Sequence, residues 1–239
     1  MAQSWHDLLF AHWPLPAEAL APLIPPGLTL DTFDGRAWIG VIPFRMSGVR
    51  LRGLPPIPGA GAFPELNVRT YVTDAPTGAL AGEGGKPGVW FFSLDAASAL
   101  AVRVARAWFR LPYYRARMRC EADGDGIRYE SHRTVDAGGT AADFAARYRP
   151  TGAPAPPTTG SLEHFLTERY CLYAKDRRDG LRRAEIRHAP WPLQPAEAEI
   201  DLITMVAPLG LSLPDEAPRL HFARDLDVVV WTPQPLSGP

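Results

Sequence analysis

A chain of 239 residues that is 46% hydrophobic and 21% charged has the composition of an ordinary globular protein and is long enough to bury one sizeable core. Its 25 basic residues are matched by 26 acidic ones, so no field exists to hold nucleic acid or an anionic membrane surface. Two cysteines, Cys120 and Cys171, are too few for a disulfide framework or a thiolate metal site and read as buried free thiols.

From the N-terminus, Met1 to Asp7 lacks the positive and apolar regions of a signal peptide. The longest apolar runs, such as Val89 to Phe92, fall far short of the ~20 residues a membrane helix needs. A cytoplasmic protein without membrane contact is the expectation, organised as one domain over residues 1–239. Residues 17–24 read as a first helix, opened by Pro16 and stopped by Pro25-Pro26-Gly27. Residues 28–33 and 36–46 read as strands of a hairpin turning at Asp34-Gly35, a pair that tolerates the positive φ of a tight turn. The second strand is apolar on both faces through Trp38, Ile39, Val41, Ile42 and Phe44, which predicts a central strand covered on both sides.

Further along, 52–61 is a Pro/Gly loop, 65–72 a strand, 73–88 a second loop and 89–94 a buried strand. Asp95 is positioned to cap an amphipathic helix over 96–109, with Leu100, Val104 and Trp108 on one stripe. Residues 117–121 and 126–134 form a hairpin across Asp123-Gly124-Asp125-Gly126. After a Pro-rich loop at 150–160, residues 161–167 make one or two helical turns, and 170–174 and 181–187 a hairpin turning at Asp179-Gly180. Residues 197–206 fit helix or strand, and 220–222 and 227–231 read as closing strands. Many short strands, few helices and no βαβ rhythm predict a mainly β, largely antiparallel barrel or sandwich with helices packed outside.

The strand at 65–72 carries the first candidate site. Glu65, Asn67, Arg69 and Tyr71 alternate with Leu66, Val68, Thr70 and Val72, so the polar groups share one face. That face is either a solvated surface over an apolar core or the polar lining of a cavity. In the second case Arg69 grips a carboxylate through its guanidinium fork, Glu65 serves as acid or base and Asn67 orients the substrate. In 167–173, Arg169 would need an anion if buried, met by a ligand or by a neighbouring acid such as Glu163 or Glu168. His12 and His188 sit beside Trp-Pro pairs that fit either a rigid pocket wall or ordinary core corners. None of the six histidines has metal-ligand spacing, so no metal and no cofactor is expected. No Gly-x-Ser-x-Gly elbow is present, and the Gly-rich run at 82–87 fails as a phosphate loop because its first glycine falls on Leu80 and Pro87 replaces the hydroxyl residue.

The segments AHWPLP (11–16), DTFDGRAWIGVIPFRM (31–46), FPELNVRTYV (63–72), PGVWFFSLDA (87–96), LPYYRARM (111–118), SLEHFLTERYCLY (161–173) and HAPWPLQPA (188–196) resemble the YqjF-like family, a widespread bacterial family. The likeness runs from about Trp5 to Trp231. That family is in turn distantly similar to the acetoacetate decarboxylase-like superfamily. The resemblance implies a closed, cone-shaped antiparallel β-barrel with helices outside and a small-molecule cavity within; a homodimer is an expectation by analogy alone.

The departures from the decarboxylases carry chemical weight. Their Schiff-base lysine has a neighbouring lysine that lowers its pKa. The matching place here is Leu111-Pro112-Tyr113-Tyr114, with tyrosines at both positions. A decarboxylase glutamate falls on Ala97, the arginine near the first helix has no equivalent near Trp13-Pro14, and an earlier glutamate corresponds to Glu65. The chain has 23 arginines but only Lys86, in a Gly-rich loop, and Lys175, in a charged turn. Neither setting desolvates an ammonium, which argues against lysine-dependent decarboxylation. Two readings stay open. One is a non-Schiff-base enzyme acting on a small carboxylate or carbonyl compound, with Glu65, Tyr113 and Tyr114 as catalytic groups and Asn67, Arg69, Trp90, Arg169 and His12 as binding groups. The other is a non-catalytic protein holding a small-molecule ligand against Trp90, Phe92 and Tyr114.

Overall fold

The computed structural model describes residues 1–50, 62–74, 85–135, 140–176 and 180–236. The loop expected at 52–61, most of that at 73–88, and Asp179 of the expected turn lie outside the described residues. The chain is mainly β. Its strands are β1 (Ala2–Leu15), β2 (Thr29–Leu30), β3 (Ala37–Arg50), β4 (Phe63–Thr73), β5 (Gly88–Ala96), β6 (Tyr113–Asp123), β7 (Gly126–Arg133), β8 (Asp143–Pro150), β9 (Cys171–Lys175), β10 (Leu181–Arg187), β11 (Gln194–Ile203), β12 (Arg219–Val230) and β13 (Gln234–Pro235). Among the described residues three α-helices, α1 (Ala17–Leu20), α2 (Ala99–Trp108) and α3 (Leu162–Thr167), lie between strands, the first continued by a short 3-10 turn over Ala21–Leu23. No helix among the described residues is long and apolar enough to cross a membrane.

Strand pairing closes on itself. Running β5-β6-β7-β8-β11-β12-β1-β3-β4, the order returns to β5 through the β4–β5 pairing. A second circuit branches from the far end of β12, where Val229 and Val230 pair with β10, and returns through β9 to β5. The pairing is antiparallel except where β5 meets β6 and β9. The strands β12, β1, β3, β4 and β5 therefore belong to both circuits and face an apolar core on each side. On one side Phe10, Ile42 and Phe44 pack together; on the other Leu9, Ala11, Val41 and Leu66 pack against Tyr129, Phe144 and Phe222. This double burial explains why β3 is apolar on both faces, as its sequence predicts.

Several local expectations are corrected. β1 has no clear alternation in its sequence, yet its last eight residues are all buried at the centre of the sheet. Asp7 adopts φ 55°, and the β1–β3 register shifts between His6 and Ala11, so the residues facing inward change parity across this bulge. β8 was hidden between a hairpin and a Pro-rich loop. The two strands expected at 220–222 and 227–231 are one continuous strand, Arg219–Val230, and the segment at 197–206 that fitted helix or strand is strand as far as Ile203. The helix expected from Ala96 begins at Ala99, and Asp95 is no cap: it lies within β5 with its carboxylate bound to Arg133. Of the helical stripe, Leu100 is 44% exposed, while the side chains of Val104 and Trp108 lie outside the described set. Ser161, by contrast, caps α3 by accepting from the His164 N–H at 3.2 Å.

The parallel contact of β5 with β9 requires close backbone approach. A Cβ on Gly88 would lie 2.6 Å from Cys171 Sγ and 2.9 Å from the Cys171 carbonyl oxygen. Because a backbone atom cannot move aside cheaply, Gly88→Ala is expected to cost about 1–3 kcal/mol in urea denaturation; an unchanged midpoint would mean that β5 and β9 are not this close. Both thiols are inert by environment, since burial pushes Cys120 and Cys171 up to about 11.

Candidate functional site

Glu65, Asn67 and Arg69 are 3%, 6% and 7% exposed, so the polar face of β4 is an interior lining and not a solvated surface. The reason is tertiary: β4 is shared by the two circuits, and its Leu66 and Val68 face the second core. These three residues line a cavity of about 140 Å³ together with Tyr113, Gln3 and Trp5. The rest of the wall is apolar, drawn from Phe44, Phe63, Phe91, Phe109, Leu111 and Ile186 among others.

Glu65 is the chemically distinctive group. Its Oε2 accepts a hydrogen bond from the Tyr113 hydroxyl at 3.0 Å, and its backbone oxygen accepts from Tyr129 at 2.7 Å. Burial raises its carboxyl pKa from 4.5 to about 8, opposed by the Tyr113 bond and reinforced by the Asp95 charge. A carboxylic acid of this kind is mostly protonated at neutral pH and can donate a proton. Burial and the neighbouring Glu65 hold Tyr113 well above the usual phenol range, so it stays a neutral donor. Beside this pair, Asp95 and Arg133 are 0% and 3% exposed at their side chains. Arg133 Nε donates to both carboxylate oxygens at 3.1 and 3.0 Å, and Nη2 to Oδ1 at 2.8 Å.

Arg69 lies at the other end of the polar strip. Its Nη2 donates to the Leu166 carbonyl at 3.2 Å, and its guanidinium sits 5.7 Å from the Phe10 ring and 5.8 Å from Tyr71. No carboxylate among the described residues lies within ion-pair distance of it, and its Nε has no acceptor there. Asn67 Oδ1, Gln3 Oε1 and Trp5 Nε1 are likewise buried without partners among the described residues. A buried cation with no counter-charge among the described residues, in a cavity with several polar atoms unpaired among them, is an arrangement that a polar ligand would complete.

Other predicted site residues fall elsewhere. Tyr71 does not line the cavity; its hydroxyl donates to the Leu166 carbonyl at 2.7 Å and pairs with His12 Nε2 at 2.6 Å. Since that hydroxyl has a single proton, His12 donates from Nε2 and its Nδ1 is left as an unpartnered acceptor. Burial, then the Arg69 charge, push the His12 pKa well below 6.5, so this neutral imidazole supports the wall from behind. Arg169 is a structural arginine: its Nη1 donates to Asp31 at 2.6 Å and its Nε to the Phe165 carbonyl at 2.7 Å. The acid it requires is thus Asp31 rather than Glu163 or Glu168.

Trp90 packs against a separate cluster containing Leu28, Val72, Cys171 and Tyr173. The register shift between Val68 and Arg69 changes the parity of β5, so that Leu94 and Phe91, not Trp90, reach the cavity. Tyr114 alternates away from Tyr113 and covers Arg133, whose guanidinium lies 4.2 Å from the ring. Phe92 packs with the second core. Gln3, Trp5 and Phe91 were not legible as cavity residues, because the bulges that aim them leave no mark of their own in the sequence; Phe63 continues the Glu65, Asn67 and Arg69 face because β4 starts two residues before the strand expected at 65–72. Neither lysine lines the cavity, and Lys86 pairs with Glu185. The described residues contain no group of three or more metal-ligating side chains.

Comparison with known proteins agrees with this architecture. Among solved structures, the enduracididine biosynthesis enzyme MppR, complexed with the condensation product of pyruvate and imidazole 4-carboxaldehyde, superposes with a TM-score of 0.64 at 13% identity, covering 99% of this chain and 89% of that one. An acetoacetate decarboxylase from Legionella pneumophila gives a TM-score of 0.63 at 11% identity, covering 99% of this chain and 87% of that one. At such identities the likeness establishes the fold, which is of the acetoacetate decarboxylase-like type. The uncharacterized protein YqjF of Bacillus subtilis (strain 168) is 48% identical over 231 residues, covering 97% of this chain and 90% of that protein. A family model, DUF2071, described as an uncharacterized conserved protein, matches residues 2–227, and the chain accordingly belongs to this DUF2071/YqjF family.

Proposed function

We propose that this protein is an enzyme acting on a small carboxylate or carbonyl compound without a Schiff base, with Arg69 as the anion anchor and Glu65 as the proton donor. The observation that carries this reading is Glu65 itself, a buried acid with a pKa of about 8 in hydrogen-bond contact with Tyr113 beside an open cavity. Perturbed acids in apolar cavities are the groups that general acid catalysis uses at neutral pH. The neutral Tyr113 is placed to share in stabilising an oxyanion that develops at the same end. A covalent lysine route is not part of this reading, because the two lysines of the chain lie away from the cavity.

A thermal-shift screen of small carboxylates, aldehydes and ketones tests the binding half, and turnover of each hit tests the catalytic half. A ligand at ~100 times its dissociation constant adds ~2.7 kcal/mol, which moves the midpoint of a chain this size by roughly 5–10 °C. Carboxylates are expected to stabilise the wild type and not Arg69→Ala. Glu65→Gln is expected to keep most of the affinity and lose turnover, and the wild-type activity to fall as pH rises through about 8 and the acid ionises. Ligands that bind through Arg69 but are never consumed would mark a binding protein instead.

A further inference from the structure

The cavity has two polar ends that are far apart. Glu65 and Arg69 are four residues apart on β4, which at strand rise is about 13 Å between backbone positions. Each head group is pinned to a different neighbour: Glu65 to Tyr113 on β6, Arg69 to the Leu166 carbonyl at the end of α3. They form no ion pair with each other, and Asn67 lies between them with its Oδ1 unpartnered. Between and around these ends the wall is apolar and rich in rings, with Trp5, Phe44, Phe63, Phe91 and Phe109 contributing. The space of about 140 Å³ is close to the ~150 Å³ that holds one benzene in an engineered apolar cavity.

From this geometry, and resting on the enzyme reading above, we infer that the ligand is a two-ended molecule. A carboxylate sits at Arg69, a carbonyl or other hydrogen-bond acceptor sits at Glu65 and Tyr113, and a compact apolar spacer of ring size separates them. A 2-oxo or 3-oxo acid, whose carbonyl stands one or two carbons from its carboxylate, cannot reach both ends at once. It would leave either the buried guanidinium or the Glu65 hydroxyl without its partner, and an unmet buried polar group is what gives such sites their discrimination. A flat ring spacer also suits the aromatic wall, where stacked and edge contacts add to area burial.

Titration calorimetry of the wild-type protein with a length series reads this directly. The probes are pyruvate, acetoacetate, 4-oxopentanoate, 6-oxoheptanoate, 4-acetylbenzoate and benzoate. The two long probes, 6-oxoheptanoate and 4-acetylbenzoate, are expected to bind at least tenfold more tightly than pyruvate and acetoacetate, with 4-oxopentanoate between them, and 4-acetylbenzoate more tightly than benzoate, which lacks the second acceptor. Arg69→Met should weaken the long probes and benzoate alike, whereas Glu65→Leu should weaken 4-acetylbenzoate and leave benzoate within about twofold. Because the wild-type series stands without any variant, a fold defect in either substitution does not blunt the test. Short oxo acids binding as well as long ones would overturn the two-ended ligand and leave the carboxylate cavity intact. No binding by any carboxylate, benzoate included, would remove the anion anchor and with it the reading beneath.

Discussion

Glu65→Gln is expected to make the protein more stable at pH 8.5 while leaving it nearly unchanged at pH 5. The folded-state pKa of Glu65 is raised from 4.5 to about 8. Between those values the unfolded chain has lost the proton that the folded chain still binds, so stability falls as pH rises across the window. The contribution is fully present below about pH 4.5 and lost above about pH 8; the displacement corresponds to roughly 5 kcal/mol. Glutamine cannot ionise, and its amide oxygen still accepts from Tyr113. At pH 8.5 the variant should therefore unfold at a midpoint roughly 10 °C higher than the wild type. Paired thermal melts from pH 4 to 9 check this. Curves that run parallel across the range would show that Glu65 is ionised and solvated in the native state, and the proton-donor role would fall with it.

Breaking the Asp95–Arg133 pair is the second large expected effect. Both side chains are essentially inaccessible, the fork geometry is bidentate and the Tyr114 ring closes over the guanidinium. Arg133→Met strands a buried carboxylate, at an expected cost of about 3–5 kcal/mol in denaturant unfolding. Joining β5 to β7, the pair sits at the place where the parallel β5–β6 contact turns into the outer hairpin. Replacing both partners, as Asp95→Leu with Arg133→Met, should recover most of the loss, since the desolvation cost disappears with the charges. A double variant as unstable as the single one would mean that the pair contributes through specific geometry and not through charge compensation. The double variant also removes the negative charge that helps raise the Glu65 pKa, so the falling limb of its stability–pH curve should move to lower pH.

The sequence by itself determined the strand-rich architecture, because prolines and glycines cut the chain into short apolar runs. It located the Asp34-Gly35 turn but not the pairing around it: only Phe33 and Arg36 bridge there, and β2 pairs with β4 instead of forming a hairpin with β3. Alternation along 65–71 placed Glu65, Asn67 and Arg69 on one face, and the double-sided apolarity of β3 announced a central strand. Lysine scarcity likewise argues against the covalent mechanism, since neither Lys86 nor Lys175 has neighbours in the chain that would desolvate its ammonium. What alternation cannot carry is which side of a strand is enclosed. That was decided by the second circuit of strands through β9 and β10, which turns the polar face of β4 inward. Only tertiary structure decided the identity of the cavity wall, since the shifts near Asp7 and between Val68 and Arg69 reverse the parity of β1 and β5. They bring in Trp5 and Phe91 and leave Trp90 outside. The same holds for Arg169 and Asp95, whose partners Asp31 and Arg133 are distant in sequence. A buried charge states that it needs a counter-charge, but long-range pairing alone says which.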